Sequence, residues 1–328
     1  MKHASVLAVL FVAAVLFLFL RSEEPEAGLR FGDRSDLPLL VFYSTPAATT
    51  PQLPFWAGIR SGKILDLFRI ELRLWRDMEQ LQGLLLAGKG DLWLGHTDGF
   101  ARAYRRGAPV RLLVVSGWRK FHLLSRPDGP SSFEDLGGRT LAYAPQGSPA
   151  VPLLHSLLSG RLPPIEFAPH QPAQLAHLLR QGALDSALVP EPLASTLLLQ
   201  DPSLRIAASL EDLYGRLTHG PSRFPLAGLA VNATTARRFP DRISRLLEIL
   251  VEEGKALASD PARGLRDLPE TCSGSLPAEV LAASLARDPI LALPATEVAG
   301  EIEAYLGRVA PEAAGVTSGE GGEDFLWR

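Results

Sequence analysis

The chain has 328 residues, 46% hydrophobic and 21% charged, enough to bury a large core spread over two domains or lobes. Its formal net charge of −3 gives no basis for a polyanionic partner such as nucleic acid. The single cysteine, Cys272, excludes an internal disulfide and a thiolate metal cluster, and the seven histidines show neither H-x-x-x-H nor H-E-x-x-H spacing for zinc.

Ala4 to Leu20 is a run of 17 mostly apolar residues after Lys2 and His3. As a helix it reaches roughly 25 Å, just short of a hydrocarbon core, so a signal peptide and a membrane anchor both fit. No cysteine before Cys272 offers a lipid-modified signal, and no small-x-small cleavage site follows the run closely, which favours an uncleaved anchor over residues 1–21. Lys2 on one side and Glu23, Glu24 and Glu26 on the other place the N-terminus in the cytoplasm and the body outside, with residues 22–36 as a polar tether.

Leu37 to Tyr43 reads as the first buried strand and Ser44-Thr45-Pro46 as the loop at its end, where the two hydroxyls are either ligand contacts or ordinary turn residues. Pro54 to Arg60 reads as helical with Gly62 as its stop; Phe55 and Trp56 there are pocket wall or core. Phe68 to Trp75 alternates as a half-buried strand does, and Asp77 with Gln80 resembles a capping box for a helix through Leu81, Leu84 and Leu85. A strand over Leu92 to Leu94 then meets Gly95-His96-Thr97-Asp98, with Asp98 as the N-cap of the next helix. His96, at a strand end beside a helix start, is either a ligand contact or a structural hydrogen bond.

Arg111 to Ser116, Gly117-Trp118-Arg119-Lys120 and Phe121 to Ser125 suit a strand, a hinge and a strand crossing between lobes. Trp118 is a candidate to line a cleft, and Arg119 or Lys120 to attract an anion or to sit solvated in the hinge. Thr140 to Tyr143 is a strand, Ala144 to Gly147 a polar loop, Ser148 an N-cap and Pro149 the first helical position. The loop Gln146-Gly147-Ser148 thus joins backbone approach, a hydroxyl and a helix N-terminus, a receptor for an anionic or carbonyl oxygen. A helix ends near Gly182, Asp185 opens a strand over Ser186 to Val189, and Pro190-Glu191-Pro192 stops it. Glu191 either faces a cleft, favouring an amine, amidine or ring N–H, or pairs with a surface arginine. His155, His170 and His177 read as structural.

Aligning Gly88-Lys89-Gly90-Asp91 with Gly182-Ala183-Leu184-Asp185 repeats a helix, G-x-x-D, a short strand and a polar loop, so two similar lobes are expected. Arg205 to Ala208 and Leu226 to Val231 read as returning strands. Ile243, Leu246, Leu247, Leu250 and Leu257, and later Val298, Ile302, Tyr305, Leu306 and Val309, mark two amphipathic helices expected to cover the first lobe. Gly315 to Asp324 is small and acidic, a mobile stretch from which Phe325 to Trp327 dock back.

In that order, LPFWAGIRSGKI, GLLLAGKGDLWLG, SFEDLGGRTLAYAPQGSP and LLRQGALDSALVPEPLAS resemble the periplasmic solute-binding proteins of ABC importers, in the nitrate, sulfonate, taurine and thiamine-pyrimidine group, over roughly Leu37 to Gly264. The resemblance implies an α/β, two-lobed periplasmic-binding-protein type II fold with hinge strands and a ligand cleft. Lobe 1 is expected in 37–125, lobe 2 in 126–208, the return and C-terminal helices in 209–314 and a flexible tail in 315–328. It implies capture of a small polar molecule (a sulfonate, nitrate, taurine or a thiamine-pyrimidine-like compound) by an extracytoplasmic monomer that needs no cofactor and delivers to a permease and ATPase. The expected ligand set is Ser44, Thr45, Trp56, His96, Thr97, Trp118, Gln146, Gly147, Ser148 and Glu191.

Catalysis has less support, since the chain has no G-x-S-x-G elbow, no G-x-x-x-x-G-K-[ST] loop and no G-x-G-x-x-G after a strand. Pyrimidine-synthase relatives carry a cysteine-rich motif that a lone Cys272 does not supply. His96 and Glu191 as acid and base across the cleft remain the enzyme alternative. A membrane-tethered sensory module is the third reading.

Overall fold

The computed structural model describes residues 28–273, 276–318 and 325–328. The apolar segment 1–21, the start of the tether and the acidic residues 319–324 lie outside the described residues. Among the described residues no helix is long and apolar enough to cross a membrane.

In chain order the first part runs β1 (Leu29–Phe31), β2 (Leu39–Ser44), α1 (Leu53–Arg60), β3 (Arg69–Leu74), α2 (Met78–Leu86), β4 (Leu92–His96), α3 (Thr97–Arg105) and β5 (Val110–Gly117). Then come β6 (Phe121–Ser125), β7 (Thr140–Tyr143), α4 (Ala150–Leu158), β8 (Glu166–Pro169), α5 (Pro172–Arg180), β9 (Ser186–Pro190), α6 (Leu193–Gln200), β10 (Arg205–Ser209) and α7 (Leu210–Thr218). The last part holds β11 (Ala227–Asn232), α8 (Ala233–Arg238), α9 (Pro240–Ser259), α10 (Pro261–Asp267), α11 (Glu270–Ser273), α12 (Ala278–Arg287), β12 (Leu293–Pro294) and α13 (Ala299–Val309).

These strands form a seven-stranded sheet in the order β1-β3-β2-β4-β11-β5-β12 and a five-stranded sheet in the order β10-β6-β9-β7-β8. Without the short edge strands β1 and β12, the first order, β3-β2-β4-β11-β5, has the same wiring as β8-β7-β9-β6-β10. In the first sheet β2 runs parallel to β3 and β4 while β11 is antiparallel to β4 and β5. In the second, β7 runs parallel to β8 and β9 while β6 is antiparallel to β9 and β10. Each sheet therefore receives one antiparallel strand from a crossing between halves, and the parallel strands are covered by their connecting helices. The repeat visible in sequence falls on equivalent places: Gly88 and Gly182 both adopt the left-handed conformation (φ 61° and 69°) that stops α2 and α5. The aspartates that follow differ, because Asp91 accepts the Val41 N–H (2.8 Å) and the Thr235 hydroxyl (2.5 Å), whereas Asp185 accepts the neighbouring Ser186 hydroxyl (2.9 Å) and lies 3.8 Å from the Arg139 guanidinium.

Three placements depart from the sequence expectation. Residues 29–31, expected in the tether, pair with β3, and Phe31 packs 5.5 Å from Trp56. Helix α7, expected with the return segment, lies against α4, β6 and β10, with Ser209 capping its N-terminus. Helix α13, expected on the first lobe, touches α3 and also α4. The reason is a core that continues between the sheets: Leu153, Leu154, Leu213, Tyr214, Phe224 and Tyr305 belong to one buried cluster, with the Phe224 and Tyr305 rings stacked at 5.4 Å. Helix α9, by contrast, buries Ile243, Leu246, Ile249, Leu250 and Leu257 and packs on α1. At the C-terminus Phe325 is fully buried near Tyr104, and Leu112 exchanges backbone hydrogen bonds with Phe325 and Trp327 (2.8 and 2.9 Å).

Candidate ligand cleft between the lobes

A cavity of about 280 Å³ lies where the C-terminal ends of β2 and β4 face those of β7 and β9. Strand ends of this kind are where open α/β sheets receive ligands. From the first sheet come Thr45 and Ala47 after β2, Trp75 and Met78 around the start of α2, and Leu94, Gly95 and His96 at the end of β4. Lys120 and Phe121 enter on the first crossing, Leu226 and Ala227 on the return, and the loops 145–149 and 190–192 close the far side.

Local chemistry sets these positions. The Thr45 hydroxyl accepts the Ala47 N–H (3.2 Å) and the Gln52 amide donates to the Ala47 carbonyl (2.6 Å), folding the loop after β2 over the cavity edge. Asp77 caps α2 by accepting the Gln80 N–H (2.8 Å), which holds Met78 at the cleft, and the Trp75 indole donates to the Leu94 carbonyl (3.1 Å) across the end of β4. Two helix starts differ from expectation, that of α3 by two residues and that of α4 by one. His96 rather than Asp98 occupies the N-cap of α3, and Asp98 instead pairs with Arg102 one turn on (2.5 Å). Helix α4 leaves from Pro149, because Ser148 N donates back to the Pro145 carbonyl (3.2 Å) and keeps Ser148 in a turn.

The charges at the cleft are paired. The Glu191 Oε2 accepts the Ser195 N–H (3.2 Å) and hydroxyl (2.7 Å) at the start of α6. Its Oε1 has no hydrogen-bond partner among the described residues and lies 3.7 Å from the Arg287 guanidinium and 3.5 Å from His122 Nε2. Burial raises the Glu191 pKa against the pull of Ser195 and Arg287. Burial likewise pushes His122 down to about 4, with Arg287 and Arg119 adding to the effect, so the His122–Glu191 approach at neutral pH is not an ion pair. Arg287 also donates to the Ser195 hydroxyl (2.8 Å). The next residue, Asp288, is fully buried, and its Oδ2 takes the Lys120 ammonium at 2.7 Å and the Thr50 hydroxyl. Burial lowers the His96 pKa, Asp98 opposing and Lys120 adding, which favours a neutral imidazole. Beneath the crossing, Glu211 accepts the Lys120 and Phe121 N–H groups (2.7 and 3.0 Å), and burial pushes it up to about 7 against those bonds.

Of the ten residues expected to meet a ligand, Thr45, His96, Gln146, Gly147, Ser148 and Glu191 line this one cavity. The other four lie outside its lining, each with a physical reason. Ser44 and Trp56 both donate to the buried Gln52 carboxamide oxygen (3.4 and 2.8 Å), Trp56 within an aromatic cluster with Phe42 and Phe55. Trp118 donates to the Leu291 carbonyl (2.8 Å) under the Arg223 guanidinium. Thr97 is turned into α3, fully buried, its N–H on the Leu226 carbonyl (2.9 Å). Sequence reasoning passed over Trp75 and Met78, although the end of an alternating strand beside a capping aspartate was the signal for both. Nothing local marks Arg287 and Asp288, which reach the cleft from far along the chain. Among the described residues no group of His, Cys, Asp and Glu is placed to hold a metal ion. The set as it stands can enclose a small molecule between apolar walls and offer it hydroxyl, amide and imidazole partners.

No family model and no curated protein matches the sequence. Among solved structures the periplasmic aliphatic sulphonate binding protein SsuA from Escherichia coli is similar at 20% identity and a TM-score of 0.65, over 81% of this chain and 85% of that one. The alkanesulfonate-binding protein SsuA from Xanthomonas axonopodis pv. citri, bound to MOPS, is similar at 21% identity and a TM-score of 0.60, over 84% and 97%. The periplasmic nitrate-binding protein NrtA from Synechocystis PCC 6803 is similar at 12% identity and a TM-score of 0.53, over 75% and 69%. With matched lobe wiring, a shared cleft at the strand ends and these neighbours, the chain has the two-lobed α/β fold of the periplasmic binding proteins of ABC transporters.

Proposed function

We propose that this chain is the extracytoplasmic substrate-binding component of an ABC transporter, which captures a small molecule in the interlobe cleft and hands it unchanged to a permease driven by an ATPase. The observation that carries this reading is the convergence of equivalent strand-end loops from both sheets on one cavity, Thr45 and His96 from the first and Gln146, Gly147, Ser148 and Glu191 from the second. Contacts from both lobes coexist only when the lobes are together, so a ligand shifts the open–closed equilibrium by its differential affinity. The apolar run Ala4 to Leu20 serves in this reading as the tether to the cytoplasmic membrane, and the protein acts as a monomer. An acid–base role for His96 and Glu191 is disfavoured by the attachment of the Glu191 carboxylate to Ser195 and its closeness to Arg287.

The test is calorimetric titration of a metabolite panel that includes nitrate, taurine, alkanesulfonates and aminopyrimidines, with mass analysis of the ligand afterwards. The expected result is stoichiometric binding of one compound, recovered unaltered, and at least tenfold weaker binding in His96→Ala and in Glu191→Ala without loss of the folded state, tenfold being about 1.4 kcal/mol. Affinity unchanged in both variants, or conversion of the compound, overturns the reading.

A further inference from the structure

We propose that the cleft selects uncharged ligands with an apolar body, and that Asp288 sets this selectivity by cancelling the charge that an oxyanion would need. The inference rests on the cleft being the ligand site and concerns what that site accepts.

Most of the wall is apolar: Trp75, Met78, Leu94, Phe121 and Leu226 face the same 280 Å³ space, with prolines on the far side. Among the described residues Lys120 is the one lysine or arginine that lines it. Its ammonium lies 2.7 Å from the fully buried Asp288 carboxylate, which also holds the Thr50 hydroxyl, so the cation is neutralised from behind. The other formal charge in the wall is Glu191, whose fully buried carboxylate is held by Ser195 and lies 3.7 Å from Arg287, so it supplies no positive charge to an anion. The helix starts at the cleft offer little in compensation. Ala150 N and Val151 N at α4 are directed to Ser148 (3.4 and 3.2 Å), and Thr97 N at α3 to Leu226 (2.9 Å). An anion moved from water into such a space loses its hydration and gains no free cation, whereas a neutral molecule loses less hydration and buries its apolar surface against the wall. Arg287 and Asp288 both stand at the end of α12, a helix packed on α6, so one short segment holds the counter-charges of both Glu191 and Lys120.

The experiment compares two shape-matched probes, benzenesulfonamide and benzenesulfonate, by calorimetry and tryptophan fluorescence at pH 7.5. The expected result in the wild type is at least tenfold tighter binding of the sulfonamide. In Asp288→Asn, which frees Lys120, the sulfonate is expected to gain at least tenfold while the sulfonamide changes little. Because an unpaired Lys120 can compromise folding, Lys120→Met combined with Asp288→Leu provides the second arm: the preference for the neutral probe is expected to persist or grow. A wild type that binds the sulfonate as tightly as the sulfonamide, that binds neither, or whose preference is unmoved by Asp288→Asn and lost in the double variant overturns the proposal. Trp75→Ala separates this from failure of the site itself: if both probes bind and neither affinity changes in that variant, the cleft is not where they bind, whatever their ratio.

Discussion

Lys120 joins the hinge, the cleft and the C-terminal segment through separate atoms. Its N–H is held by Glu211 (2.7 Å), its carbonyl accepts the Glu191 N–H (2.8 Å), and its ammonium is held by Asp288. Breaking a buried pair by removing one partner costs about 3–5 kcal/mol, because the remaining charge stays buried without its counter-ion. Lys120→Met is therefore expected to lower unfolding free energy by that amount in urea denaturation, and adding Asp288→Leu to recover most of it; a loss below ~1 kcal/mol in the single variant contradicts the pairing. Glu211 gives a pH signature at the same place. Its folded value, about 7, lies above the ordinary 4.5, so between those values the folded protein keeps a proton that the unfolded chain has released, and stability falls as pH rises. His122 acts oppositely: its folded value, about 4, lies below 6.5, so stability falls as pH drops through that window. Glu211→Gln removes the first contribution, and its stability is expected to rise with pH more steeply than that of the wild type by up to about 1.4 kcal/mol per pH unit between the ordinary and folded Glu211 values. Equal slopes contradict the assignment. At this scale the sequence shows the residue types at strand ends but not their partners, since Asp288 meets both Lys120 and Thr50 across long separations.

The elements were legible wherever a pattern reports on one chain segment alone. Buried runs announced β2, β4, β5 and β11, and the Asp77 cap announced α2. The neighbours of an amphipathic helix are a different matter. A stripe of leucines in α13 states that one face is buried and not what buries it, and a core shared by both sheets moved α7 and α13 off the assignments that chain order had suggested. The crossing strand β11 also depends on something no periodicity reveals. A Cβ at Gly228 would stand 1.9 Å from the Val114 carbonyl oxygen of β5, where the ladder shifts register, so only a glycine lets the two strands close. Gly228→Ala is expected to lower stability by at least ~1–3 kcal/mol, the usual range for overpacking, and to disturb Leu226 and Ala227 at the cleft. A variant as stable as the wild type would show that β11 and β5 are not packed this closely.

The whole molecule is two sheets wired alike, and the G-x-x-D repeat foretold that likeness because equivalent strands carry it. The sequence could not foretell the clasp between the halves, in which α12 packs on α6 while Arg287 and Asp288 reach Glu191 and Lys120. A ligand that binds only the folded protein is expected to stabilise it by about 2.7 kcal/mol at a hundred times its Kd, readable as a concentration-dependent rise in Tm. A shift that does not grow with ligand concentration contradicts specific binding. The most direct measurement is the crystal structure of the protein loaded with the compound found by titration. The compound is expected between Trp75 and Met78 on one side and the 146–148 loop and Glu191 on the other, with Lys120 still on Asp288. A compound bound on any other surface, with this hollow empty, would contradict that expectation.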